Sequence, residues 1–342
     1  MLTFNDTLLE NNRFVNELIL NSNEINQDNH HLISLSFLNR FNINETYLMN
    51  NIVLFTLTLI CWSPTWYLIK FQLGYVDPLI SVFYRFILAA FIIFTFLIIK
   101  KKSLKFSLNH HLWFLIFGFC LYSINYVFFY LSNSYLISAF PAIVFSTSVI
   151  MNLIGEWFYF KKKPTGKTLL GALIGMIGIF IIFNDEILGF TFENNRHIGL
   201  FFALIATLAA SSGNMVHQRN LNHKFPLVES VAYAMLYGSL ITLIITQINQ
   251  TPILFEYTFN YIASLLYLSV FGSVFAFLLY LKLLGNIGAG RSSYVGVLMP
   301  VIALLISTVF ENLQWHLDLI IGLPFLLIGA ILVIHQKIKI IS

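Results

Sequence analysis

The chain has 342 residues, 58% of them apolar or aromatic and only 10% charged, with a mean hydropathy of +0.80. A soluble domain has about a quarter of its residues charged, so 19 Lys/Arg and 15 Asp/Glu cannot coat a water-soluble enzyme, and the same composition excludes a disordered protein and a nucleic-acid binder. Cys61 and Cys120 both sit in apolar runs, which excludes a disulfide framework and a Cys-based zinc site.

Residues 1–48 contain eleven Asn and mixed charges, a composition that predicts a disordered tail and no signal peptide; Met49, directly before the first apolar run, offers an alternative start. Ten apolar runs follow, each matching the roughly 20 residues that cross a hydrocarbon core as a helix. They cover Ile52–Ile69, Pro78–Ile99, Leu112–Leu131, Leu136–Phe160, Thr168–Phe183, Ile198–His217, Leu227–Gln247, Phe259–Leu281, Ser292–Phe310 and Leu317–Ile334. The runs are continuous rather than alternating, which predicts an all-α integral membrane protein.

Basic residues orient the runs. Lys100, Lys101, Lys102, Lys105, Lys161, Lys162, Lys163, Lys167, Arg219, Lys224, Lys282, Arg291, Lys337 and Lys339 fall after even-numbered runs, against only Lys70 and Arg196 on the opposite side. Both termini are therefore expected in the cytoplasm, in a multi-pass protein of the cytoplasmic (inner) membrane.

The halves are related. Lys70-Phe71-Gln72-Leu73 aligns with Gln218-Arg219-Asn220-Leu221, Asp77-Pro78-Leu79 with Phe225-Pro226-Leu227, Tyr130-Leu131 with Tyr280-Leu281, and Gly171 and Gly178 with Gly322 and Gly329. Five runs per half is an odd number, so a duplicated half enters the membrane inverted, and inverted repeats around a midplane site are a transporter architecture. The expected organisation is a first repeat at 49–184 and a second at 198–335.

The segment Tyr267-Leu268-Ser269-Val270-Phe271-Gly272-Ser273, continuing through Gly285-Asn286-Ile287-Gly288-Ala289 and Val297-Leu298-Met299-Pro300 to Phe310-Glu311, resembles the C-terminal repeat of EamA-type transporters in the drug/metabolite transporter superfamily. Trp62-Ser63, Lys70, Pro78 and Tyr84-Arg85-Phe86 resemble its first repeat. The resemblance implies ten helices, alternating access and movement of small metabolites, commonly amino acids or related compounds. Ser63-Pro64, Val149 and Lys161–Lys163 depart from the family pattern around the expected cavity, so the resemblance does not carry over a substrate.

Charges inside a bilayer core are costly and suggest function. Arg85 is the clearest, expected either to grip an anionic substrate group with its guanidinium fork or to reach Asp77 or backbone carbonyls. Asn125, Asn152 and Asn214 need partners across helices or on the solute, and Trp62, Tyr84, Tyr126, Tyr130, Tyr233, Tyr280 and Tyr294 are candidate cavity aromatics. Glu156 is expected to pair with Lys161–Lys163, and the helix-5 glycines Gly171, Gly175 and Gly178 to allow close helix packing. Gly166-Lys167-Thr168 lacks the upstream Gly of a phosphate loop and carries no nucleotide-binding reading.

These features point to a secondary transporter exporting a small, amino-acid-like metabolite. Uptake, exchange and passive facilitation are the alternatives. An intramembrane enzyme is disfavoured because no nucleophile–base or metal spacing appears at depth. Expected partners are a small-molecule substrate and the lipid bilayer, with no nucleic acid, no cofactor and no metal; a homodimer stays open.

Overall fold

The computed structural model describes residues 50–182 and 195–334. The expected tail and Met49 lie outside the described residues, as do Asp185, Glu186, Glu193, His335, Lys337 and Lys339. Among the described residues every regular element is helical. Eight helices are long and apolar enough to cross a membrane: α1 (Asn50–Gln72), α2 (Pro78–Ile99), α3 (Leu108–Asn133), α4 (Ala139–Phe160), α6 (Arg196–Asn222), α7 (Leu227–Ile248), α8 (Phe259–Ile287) and α9 (Ala289–Phe310). Two further apolar helices are α5 (Gly166–Ile182), with 17 residues, and α10 (Leu317–Ile334). The chain is a multi-pass membrane protein.

Local chemistry sets several of the ends. The Asp77 side chain accepts from Leu79 N at 2.8 Å and Pro78 occupies the first helical position, where its missing N–H costs nothing, so α2 starts there. α1 is interrupted at Ser63-Pro64, resumes at Thr65 and tightens to a 3₁₀ turn at Ile69–Gln72. α3, α6 and α8 run several residues beyond their apolar stretches. Backbone hydrogen bonding continues wherever polar side chains find neighbours, as the buried His217 and Asn220 do in α6.

Backbone irregularities recur at nearly the spacing of the sequence repeat. α3 contains a π-helical segment at Phe119–Ile124 and α8 another at Val270–Phe275, 151 residues later. Left-handed Lys101 is matched by Gln250, and left-handed Lys161 by Asn312. π segments inside α-helices are rare and concentrate at functional sites. Here both lie in helices that wall the cavity described below.

Glycines let helices approach backbone to backbone. A β-carbon on Gly178 would lie 2.7 Å from Gly322 O, and one on Gly329 would lie 2.6 Å from Gly171 O, so α5 and α10 pack face to face through reciprocal pairs. Gly175, on the same helix, has open space where its β-carbon would be. Gly322→Ala, whose new carbon would press against Ile182 Cγ1 and lie 2.7 Å from Gly178 O, is therefore expected to cost about 1–3 kcal/mol. Gly175→Ala is expected to be silent. Thermal unfolding of the detergent-purified variants checks both.

Candidate functional site

A narrow, partly open cavity of about 40 Å³ lies between α1, α3, α4, α6, α8 and α9. Its wall is aromatic, with Trp62, Trp66, Tyr126, Phe129, Phe145, Phe277 and Tyr280, and its polar groups are Thr65, Asn125 and Asn214. No lining residue carries a formal charge.

Trp62 joins the two halves of the chain. Its Nε1 donates to Gly272 O at 3.0 Å in the π segment of α8, and its ring packs edge-on to Phe277 and tilted against Tyr280, at 5.0 and 4.9 Å. Gly272 itself is needed because a β-carbon would lie 2.7 Å from Thr65 Cγ2.

Arg85 does not line the cavity. It is fully buried one layer behind the wall, with Nε donating to Ser273 Oγ at 2.9 Å and Nη2 to Gly272 O at 3.2 Å. Its guanidinium carbon lies 4.4 Å from the centroid of the Tyr126 ring. Of its expected partners it reaches a backbone carbonyl and not Asp77, which is used in capping α2. The charge is thus held by a carbonyl, a hydroxyl and the π-faces of Tyr126 and Phe86.

The three candidate asparagines all bond across helices. Asn125 Nδ2 donates to Ala206 O at 2.8 Å, linking α3 to α6. Asn152 Oδ1 accepts from Ser211 Oγ at 2.8 Å and from Asn214 Nδ2 at 3.4 Å, and Asn214 Nδ2 also donates to the Tyr280 hydroxyl at 3.1 Å. Asn214 Oδ1 and Asn152 Nδ2 are buried and have no hydrogen-bond partner in the protein. Asn125 and Asn214 face the cavity; Asn152 supports Asn214 from behind.

The structure thus brings Trp62, Asn125, Tyr126 and Asn214 together on the wall, with Arg85 and Asn152 behind it. It places Tyr84, Tyr233 and Tyr294 elsewhere. Tyr84 donates to Leu254 O, in the connection before α8, and Tyr233 donates to Leu104 O, in the Lys-rich connection after α2. Tyr294 lines a separate small apolar pocket with Gly171, Gly175 and Gly329. Helical depth alone does not tell which face of a helix a tyrosine occupies.

Glu156 does not continue its helix spacing to the lysines, because α4 ends at Phe160 and Lys161 turns left-handed. Its Oε1 accepts from Ala289 N at 2.9 Å instead. Sequence reasoning left out Trp66, Phe129, Phe145 and Phe277 as wall residues. Of the two expected tyrosines that stand in register, Tyr280 lines the wall, whereas Tyr130 is fully buried away from it.

The EamA-like transporter family model matches the chain twice, at residues 49–184 and 197–335. A Clostridium kluyveri protein named as an uncharacterized transporter is 25% identical over 264 residues, 76% of this chain and 85% of that one. The Bacillus subtilis uncharacterized transporter YoaV is 23% identical, covering 80% and 90% respectively. An Escherichia coli protein named as a probable amino-acid metabolite efflux pump is 24% identical, covering 82% of this chain and 91% of its own. A solved crystal structure superposes with a TM-score of 0.65 at 16% identity, covering 83% of this chain and 96% of that one, which shows a shared fold. Two matches that between them span the described helices settle the assignment: the chain belongs to the EamA-like transporter family.

Proposed function

We propose that this protein is a secondary transporter that exports a small, amino-acid-like metabolite across the cytoplasmic membrane by alternating access. Its ten apolar helices all span, as two inverted five-helix repeats at 49–184 and 198–335, with both termini in the cytoplasm. The observation that carries this reading is a cavity walled by helices of both halves, α1, α3 and α4 facing α6, α8 and α9. Its unpartnered Asn214 Oδ1 offers an acceptor to a solute's donor group, and its aromatic wall takes an apolar body. The similarity to a probable amino-acid metabolite efflux pump supports the solute class and the direction.

A panel of radiolabelled and unlabelled amino acids and their biosynthetic precursors tests it by thermal shift on the detergent-purified protein. At least one member is expected to raise Tm by several degrees in the wild type, since ligand at 100 times its Kd stabilises by about 2.7 kcal/mol. Asn214→Leu, which removes the unpartnered acceptor at Asn214 Oδ1, is expected to lose most of that shift. A panel without any stabilising member would overturn the assigned solute class.

A further inference from the structure

One ion pair joins charged side chains among the described residues: Lys70 Nζ, in the last turn of α1, lies 3.9 Å from Glu311 Oε1, just past the end of α9. It belongs to a larger knot. Lys70 Nζ also donates to the carbonyls of Asn133 at 3.1 Å and Leu136 at 2.8 Å, cinching the turn between α3 and α4. Glu311 Oε2 accepts from Ser307 at 2.6 Å and from Ser138, and the two serine hydroxyls lie 3.1 Å apart. Both serines are buried, whereas Lys70 and Glu311 keep 31% and 13% of their side-chain surface. Four groups from the first and second halves are thereby tied together at one end of the bundle. Ile69, beside Lys70, and Trp66, one turn earlier, already line the cavity, so the knot sits directly over that end of it.

The opposite end is built differently. In the register of the repeat Lys70 falls on Gln218 and Glu311 on Phe160, a pair that cannot form a salt bridge. There Glu156 Oε1 of α4 accepts from Ala289 N of α9, and α1 and α8 are joined by Asn286 Nδ2 donating to Asn51 Oδ1 at 2.7 Å. A vestibule of about 440 Å³ opens at that end among Lys162, Lys163, Gln218 and Arg291. The charged knot is therefore present at one end and missing from its repeat-related counterpart.

We propose that Lys70, Ser138, Ser307 and Glu311 form the latch of the gate on the side away from the Lys-rich loops, closed in this conformation. Solute leaves on that side only when the latch opens. This rests on the alternating-access reading above. The latch is reversible because its two charged members are partly exposed, so water replaces each lost contact as the ends separate; such pairs contribute modestly and are screened by salt.

The test uses the full chain with Cys61→Ser, Cys120→Ser and a cavity reporter, Met299→Cys, in sealed right-side-out vesicles. A membrane-impermeant maleimide is added from the side of the latch, on which Glu256 in the α7–α8 connection is also expected. Glu311→Gln and Lys70→Met are each expected to raise the labelling rate about five- to tenfold, with Lys70→Arg close to the unmutated latch. A second variant keeps side-chain volumes nearly unchanged: Ser138→Cys with Ser307→Cys, whose replaced hydroxyls lie 3.1 Å apart. Oxidising that pair is expected to drop reporter labelling from the Glu256 side to background, and reductant to restore it. Labelling that ignores both the charge removals and the cross-link overturns the latch. Counterflow of labelled solute in the same vesicles reads transport separately, so loss of flux in the unmutated protein would strike the transport reading and leave the labelling result standing.

Discussion

Trp62→Ala is expected to abolish transport, lowering the per-molecule rate at least 100-fold, and to destabilise the protein by about 3–5 kcal/mol, the range for a large aromatic removed from a packed core. The side chain is 6% exposed, closes one wall of the cavity and bonds to the π segment of the other half through Gly272 O. Trp62→Phe separates these roles. It keeps a ring against Phe277 and Tyr280 but loses the N–H, leaving the Gly272 carbonyl to Arg85 alone. A stability cost of about 1–2 kcal/mol is expected for one hydrogen bond of this kind, with a tenfold loss of rate. Thermal unfolding and counterflow, both normalised to folded protein, measure the two effects.

Arg85→Ala is expected to lower membrane yield and thermal stability, by about 3 kcal/mol or more, because it removes two charge-assisted hydrogen bonds and a cation–π contact. Transport per folded molecule is expected to fall less than tenfold, through a loosened Tyr126. Arg85→Lys should not rescue stability, since one ammonium at the end of a flexible stem does not reproduce the Nε–Ser273 and Nη2–Gly272 geometry. An anionic solute should give no protection to an Arg85→Cys variant from thiol labelling, because the side chain lies behind the wall. Intact stability combined with selective loss of anion transport would instead put the guanidinium in contact with the solute.

The class of protein and much of its outline were legible in the chain itself. Unbroken apolar runs gave every described helix, and Pro78–Ile99 ends where its hydropathy does because Asp77-Pro78 and the lysine run punctuate it. Ends without such punctuation drifted outward, as α6 did to Asn222, because a helix is held by its backbone and needs no apolar side chains in its last turns. The two π segments stand at the repeat spacing, yet nothing in the apolar runs announced them: that of α3 packs against α6 and α7 and that of α8 against α2.

The site was legible only in part. Asn125 and Asn214 stood out as polar groups that must be satisfied at depth, and they face the cavity. Arg85 stood out for the same reason yet serves the wall from behind, since burial depth is readable from a sequence and the facing neighbour is not. The 16 Tyr and 35 Phe gave no contrast by which to choose Phe129, Phe145 or Phe277. Lys70 and Glu311 are 241 residues apart, and no local spacing announces their pairing.

If the cavity shared by the two halves carries solute across the membrane, counterflow in proteoliposomes made from the purified full chain registers it. Vesicles preloaded with an unlabelled amino acid that stabilises the protein are diluted into trace labelled solute. The account predicts transient accumulation of label above the outside concentration, reduced at least tenfold by Asn214→Leu and abolished by Trp62→Ala. Accumulation that is equal in wild-type, Asn214→Leu and Trp62→Ala vesicles, or absent from wild-type vesicles, would contradict it.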